Sequence, residues 1–227
     1  PGKNDASPIF GDDPIFAESE IIYNGQVIFA VIAESLEHAK IAIKQARIVY
    51  SEKPPIITLA QARHKETLLC PPKIVSRGDF ASSINHSEHI IEGEIVIGGQ
   101  EHFYLEGQVA FVIPKEDNEM IVYSSTQHPS ETQQLIGKML NQKSNSITVL
   151  VRRIGGGFGG KETNFMTAAI CSLLAHKTKK PVKLRLDRDD DIILTGKRHE
   201  FLSEYEVGFN DKGIIQGLKV KLASKCG

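Results

Sequence analysis

The chain has 227 residues, with 41% hydrophobic and 24% charged side chains, an ordinary globular composition that excludes wholesale disorder. Lys plus Arg (27) nearly cancels Asp plus Glu (28), so neither a nucleic-acid nor an anionic-membrane surface is indicated, and no apolar run is long enough to span a bilayer. The three cysteines, Cys70, Cys171 and Cys226, are far apart and form no C-x-x-C pair, which argues against a disulfide framework or a zinc or iron–sulfur site and favours a reducing, cytoplasmic compartment.

Residues 1 to 20 are turn-rich, with Pro8 and Gly11-Asp12-Asp13-Pro14, and read as an irregular entry. Val27 to Ile32 reads as a buried strand. Ser35 is a plausible N-cap for a helix to about Arg47, with Leu36, Ala39, Ile43 and Ala46 on one face, and Ile48-Val49-Tyr50 reads as a second strand. Lys53-Pro54-Pro55 breaks this β-α-β piece. Residues 54–86 carry few periodic signals and read as an extended linker with short helical turns.

From residue 87 a second region begins. Strands are expected at 88–97, 107–114 and 119–125, then a helix at 129–142 that opens on Pro129 with Glu131 close behind. Further strands at 146–153, 182–187, 201–209 and 214–223 are expected to surround a helix at 163–177. The basic cluster Lys177-Thr178-Lys179-Lys180 would complement that helix's C-terminal dipole, and Cys171 would be a small buried hydrophobe inside it. Strands and helices without regular alternation make the fold class α+β. The chain starts at Pro1 without a methionine and stops at Gly227 after a strand-like run, so it is expected to be an internal fragment of a longer polypeptide.

The strongest local signal is Gly155-Gly156-Gly157-Phe158-Gly159-Gly160-Lys161-Glu162. Five glycines around one phenylalanine let the backbone approach a ligand closely, at a strand-to-helix switch where N–H groups converge on an anion or oxo group. Gly155, Gly157 and Gly160 satisfy G-x-G-x-x-G, but the acidic residue a dinucleotide fold needs about 20 positions on is replaced by the run Thr178-Lys179-Lys180. The same loop satisfies G-x-x-x-x-G-K, yet the next residue is Glu162, a carboxylate that repels phosphate where Ser or Thr would hold Mg²⁺.

Gly98-Gly99-Gln100-Glu101-His102-Phe103-Tyr104-Leu105-Glu106 packs amide, acid and imidazole groups between two strands; by residue type alone it is a strand connection with buried polar groups, or a site. His102 and Glu106 read as structural rather than catalytic. His86-x-x-His89 has ligand spacing but no further ligands, and the solvent-facing reading is preferred. Asp187 to Asp191 either binds a divalent cation or, as we prefer, caps a short helix with Arg188 and Arg198 as partners.

The Gly98–Glu106 block, the glycine loop, and Asp187-Arg188-Asp189-Asp190-Asp191 followed by Thr195-Gly196-Lys197-Arg198-His199 resemble, in this order, the molybdenum subunit of xanthine dehydrogenases, closest to the bacterial split-subunit form within the xanthine oxidase and aldehyde oxidase family. Gly11-Asp12-Asp13-Pro14 and Gly25-Gln26 resemble the hammerhead domain that precedes the molybdenum domain. The resemblance implies three segments: residues 1–53, the C-terminal part of a hammerhead α+β domain; 54–86, the linker; and 87–227, the first part of a molybdopterin-binding domain.

The resemblance also implies roles. Gln100 would approach the molybdenum oxo ligand through its side-chain amide. Phe158 and Gly159 would touch the metal centre through main-chain N–H, so that Gln100 and Phe158 stand nearest the metal, with Gly157 lining the pterin. Glu162 would contact a purine substrate, since aldehyde oxidases resemble this loop but carry an apolar residue there. The reaction implied is hydroxylation of a purine carbon (hypoxanthine or xanthine to urate) with water-derived oxygen, electrons leaving through 2Fe-2S clusters and FAD on a partner subunit or region to NAD, in a cytoplasmic dimer of heterodimers that serves purine catabolism. The family's general-base Glu and most of its pterin loops lie downstream. No catalytic residue is therefore assigned within 1–227, and the chain alone is expected to be inactive and to hold no cofactor. The alternatives are an aldehyde or other N-heterocycle oxidase of the same family, or a non-catalytic nucleotide-binding module.

Overall fold

A computed structural model describes residues 2–7, 11–162 and 165–226. In chain order the regular elements are α1 (Leu36–Gln45), α2 (Leu59–His64), α3 (Phe80–Asn85), β1 (His89–Ile97), β2 (Val109–Pro114), β3 (Met120–Ser124), α4 (Pro129–Leu140), β4 (Ile147–Leu150), α5 (Met166–Thr178), β5 (Val182–Arg185), α6 (Arg188–Leu194), β6 (Phe201–Phe209) and β7 (Ile215–Ser224). The fold is α+β, and the chain divides into two compact units: Pro1–Val49 with Glu101–Lys197, and Tyr50–Gln100 with Arg198–Gly227.

The first unit is a four-stranded sheet in the order β4-β3-β2-β5 with α4 and α5 packed on it. β2 pairs antiparallel with β3 and β5, while β4 lies parallel to β3, a pairing that requires the intervening crossover through α4. α4 has the pattern of a half-buried helix. Pro129 opens it, Thr132, Leu135, Ile136 and Met139 recur at helical spacing on its buried side, and Asn141 closes it in the left-handed region at φ 53°. α5 is buried through most of its length, and the small side chains Ala168, Ala169, Cys171, Ser172 and Ala175 let it lie close on the sheet. Its last turn carries His176 and Lys177, as the dipole favours. Cys171 is fully buried within this core, and burial pushes its thiol up to about 12. The Thr163 and Asn164 start expected for this helix lies outside the described residues.

The second unit is an antiparallel sheet in the order β1-β6-β7. The strands at 201–209 and 214–223, expected with those around α5, belong instead to this separate sheet, where β6 pairs with both β1 and β7. β6 is nine residues long, and it finds in β1 a partner of equal length, from His89 opposite Phe209 to Ile97 opposite Phe201. The register puts Ile91, Ile95, Val207, Leu218, Val220 and Leu222 on one face and Glu92, Glu94, Glu204, Glu206, Lys219 and Lys221 on the other. α3 packs against β7 and β6, and Arg63 of α2 grips Glu204 through two bonds of 2.9 and 3.1 Å. The apolar residues Ile91, Ile95, Leu218, Val220 and Leu222 are exposed.

Two expected strands are not strands here. Ser35 does cap α1, accepting from His38 N–H at 3.2 Å, but Val27–Ile32 and Ile48–Tyr50 join no ladder among the described residues. Extended apolar chain becomes a strand only when a neighbour satisfies its N–H and C=O groups. Here Val27 C=O accepts from Ala17 N–H, and Val49 stands 91% exposed.

Candidate functional site

The glycine loop is a tight turn in the first unit, closed by Gly160 N–H to Gly157 C=O at 2.8 Å and Glu162 N–H to Gly159 C=O at 3.3 Å. Gly155, Gly156 and Gly159 have φ of 68°, 89° and 89°, and Phe158 itself sits at 53°, where a non-glycine residue is strained. The loop has an inner and an outer side. Gly157, Gly160 and Lys161 are buried, whereas Phe158 is 76% exposed and Gly159 and Glu162 are exposed with it.

Four polar side chains fix the inner side. Gln127, just before α4, donates its main-chain N–H to Lys161 C=O at 2.9 Å; its Oε1 accepts from Gly159 N–H at 3.1 Å and from Lys161 N–H at 3.3 Å. A Cβ at Gly157 would collide with that same Oε1. Lys161 is 1% exposed and its ammonium donates to the carbonyls of Glu106 (2.7 Å) and Ile154, 4.4 Å above the Tyr104 ring. Burial lowers its pKa, against the opposing charges of Asp191 and Glu106. Asp191, also 1% exposed, accepts from the Tyr104 hydroxyl at 2.5 Å, the Gln108 N–H at 2.7 Å and the Thr195 hydroxyl at 3.3 Å. Gln108 completes the path by donating to Gly160 C=O at 3.0 Å. Burial, reinforced by the Asp191 carboxylate, pushes the Tyr104 hydroxyl up to about 12.

Residues from all three sequence blocks thus meet under the glycine loop. His102 and Glu106 take structural places. A Cβ at Gly160 would come within 2.7 Å of His102 Nδ1, and the Glu106 side chain packs on Gly155. Asp187 caps α6, accepting from Asp190 N–H at 3.0 Å, but the expected arginine partners of this acidic run differ. Arg188 donates to the carbonyls of Tyr104 and Leu105, each at 2.8 Å, and Arg198 to Gly98 C=O at 2.8 Å. Exposed acids gain little from surface pairing, whereas fixed carbonyls offer oriented acceptors. His86 Nδ1 lies 2.7 Å from Ser82 C=O and His89 Nε2 lies 2.7 Å from Asp211, so each has its own partner.

Gln100 belongs to the second unit. Its main chain exchanges two 3.0 Å bonds with Arg198, while its exposed side-chain amide has no partner among the described residues. Sequence reasoning missed Gln127 and Gln108, and it named Lys161 and Asp191 within their motifs without giving either a place in this buried network. The available signals were the polar Thr126-Gln127-His128 run ahead of Pro129 and the apolar Ile192-Ile193-Leu194 that follow Asp191.

The residues present fit an acceptor-rich ligand on the outer side of the loop. No described residue accepts from the Phe158 main-chain N–H, and the nearest atom that a Cβ at Gly159 would meet is His102 Nε2 at 4.0 Å, so no side chain stands in the way there. A hollow of about 380 Å³ lies elsewhere, among Asn4, Asp12, Glu18 and Gln26, and no glycine-loop residue lines it. No described helix is long and apolar enough to cross a membrane.

Comparison with known proteins gives this geometry a family. Residues 64–227 match the molybdopterin cofactor-binding domain, and residues 1–54 match the aldehyde oxidase and xanthine dehydrogenase a/b hammerhead domain. The whole chain is 43% identical to xanthine dehydrogenase/oxidase of Gallus gallus, and 97% of it is matched at 41% identity to aldehyde oxidase 2 of Cavia porcellus. It spans only 17% and 16% of those proteins. The fold matches aldehyde oxidoreductase from Desulfovibrio desulfuricans with a TM-score of 0.86 at 20% identity, over 99% of this chain and 27% of that one. Quinoline 2-oxidoreductase from Pseudomonas putida 86 matches with a TM-score of 0.81 at 21% identity, over 92% of this chain and 28% of that one. The chain therefore belongs to the aldehyde oxidase and xanthine dehydrogenase family of molybdopterin enzymes, with hammerhead residues first and molybdopterin-binding-domain residues after them.

Proposed function

We propose that this chain is part of a purine hydroxylase, oxidising hypoxanthine and xanthine to urate with oxygen from water. The observation that carries the reading is the pairing of an open, glycine-built donor loop with the half-exposed Glu162 carboxylate at its end. In this reading residues 1–53 complete a hammerhead domain, 54–86 link it onward, and 87–227 begin the molybdopterin-binding domain. A bound molybdenum–molybdopterin would supply the two-electron oxidation and the activated water.

The chain's own residues bind and orient. Phe158 offers its unpartnered N–H to an oxo acceptor, and Gly159 shares its N–H with Gln127. Gly157, whose missing side chain makes room for Gln127, would line the pterin through its backbone, and the exposed side-chain amide of Gln100 would donate to the metal's oxo ligand. Glu162 reads the heterocycle. The exposed apolar face of the β1-β6-β7 sheet supports burial against further protein, the place for 2Fe-2S and FAD components passing electrons to NAD in a dimer of heterodimers. Three unpaired cysteines support a cytoplasmic setting for purine catabolism.

The comparison with aldehyde oxidase 2, at 41% identity, favours a second reading, oxidation of aldehydes or other N-heterocycles. Metal and pterin analysis of the full-length complex, with xanthine-dependent NAD reduction, tests the proposal. Stoichiometric molybdenum with xanthine turnover is expected. A complex without molybdenum, or one that oxidises aldehydes and no purine, would overturn it.

A further inference from the structure

Glu162 has a neighbour that the family resemblance does not call for. The stretch Thr126–His128 runs beside Gly159–Glu162 and is pinned to it through Gln127 and through the Thr126 hydroxyl, which lies 3.4 Å from Lys161 C=O. His128 is held in turn from both sides. Its N–H donates to Thr126 Oγ1 at 3.0 Å, and its carbonyl receives the Thr132 N–H at 3.0 Å and hydroxyl at 2.9 Å. This backbone delivers the imidazole to Glu162, with Nε2 3.3 Å from Oε1, while Nδ1 faces Glu131 Oε2 at 3.6 Å. All three side chains are partly exposed, so the pairs add little to stability. Their consequence is orientation.

We propose that His128 is a specificity-determining positioning residue, which holds the Glu162 carboxylate as an acceptor for heterocycles that present ring N–H donors. The argument rests on the purine reading above and deepens it. Carboxylates only accept, so the imidazole can face Glu162 only with a donor or a positive charge, and its approach at 3.3 Å is to Oε1. A glutamate side chain loses substantial rotamer freedom on binding, and one already held by a neighbour loses less. A lactam-bearing purine offers the N–H that such an acceptor rewards; a small aldehyde offers none.

The test uses the full-length enzyme with xanthine and a small aldehyde as substrates, and equilibrium dialysis of urate as a readout independent of turnover. His128→Ala should lower the ratio of kcat/KM for xanthine to that for the aldehyde about tenfold, chiefly through KM, and weaken urate binding by about the same factor. His128→Gln, which returns an N–H donor to similar reach, should keep the ratio within about threefold of wild type. An unchanged ratio in His128→Ala, or an equal loss on both substrates, overturns the inference while leaving the purine reading standing. A wild-type enzyme that does not oxidise xanthine overturns both.

Discussion

Asp191→Asn tests the polar column beneath the glycine loop. The amide keeps the shape of the carboxylate but cannot keep its bonds. Oδ1 accepts from the Tyr104 and Thr195 hydroxyls and Oδ2 from the Gln108 N–H, so the new NH₂ meets a donor on either side. Placed at Oδ2 it leaves the Gln108 N–H, which cannot rotate away, buried without an acceptor. A buried donor left unpaired costs about 1–3 kcal/mol, and a hydrogen bond to a charged group contributes about 1.5–3 kcal/mol. The negative charge facing the buried Lys161 ammonium is lost as well. Together these give about 3–5 kcal/mol, in the range for breaking a buried charged network. At about 2–4 °C per kcal/mol for a domain of this size, the midpoint should fall by about 6–20 °C. Because the chain contains no tryptophan, scanning calorimetry is the direct assay. Asp189→Asn, exposed in the first turn of the same helix, is the control and should change stability by no more than about 0.5 kcal/mol. If Asp191→Asn melts within about 2 °C of wild type, or no lower than Asp189→Asn, the column does not carry the loop.

Glu162→Ala in the full-length enzyme should cost about 2–4 kcal/mol of transition-state stabilisation on xanthine and much less on a small aldehyde; equal losses in kcat/KM would make Glu162 a support of the loop instead of a reader of the purine. Gly160→Ala should destabilise the first unit by about 1–3 kcal/mol, because its Cβ would press within 2.7 Å of His102 Nδ1 and 2.9 Å of Tyr104 Cε1; an unchanged melting curve would contradict that packing. Burial alone would raise the Asp5 carboxyl, but the Lys138 ammonium and the Ser7 N–H outweigh it and hold it below its usual 3.8. Its contribution is therefore full above that unfolded value and is lost as the pH falls through the lower folded one. Lys138→Met should then cost about 1 kcal/mol at pH 7 and converge with wild type below about pH 3, as urea titrations at the two pH values would reveal.

Local physics wrote most of the elements into the sequence. The helical spacing of Thr132, Leu135, Ile136 and Met139 behind Pro129, the Ser35 cap, and the limits of β6 follow from rules that act within one or two turns of chain. The glycine loop was legible for the same reason, since five glycines in six positions declare a backbone that side chains would obstruct. Pairing is not local. Val27–Ile32 has the composition of a strand, yet it becomes one only where a second edge meets its N–H and C=O groups, and a sequence window carries no record of that edge. The site divides along the same line. Gln100, Phe158 and Glu162 were singled out by their own motifs, but Tyr104 meets Asp191 across 87 positions, and Gln127 reaches Gly159 across 32. A buried carboxylate or amide becomes informative only through the donors that surround it, and those donors are gathered by the packing of α4 and α5 on one sheet and by the bonds of Asp191 in α6 to Tyr104 and Gln108.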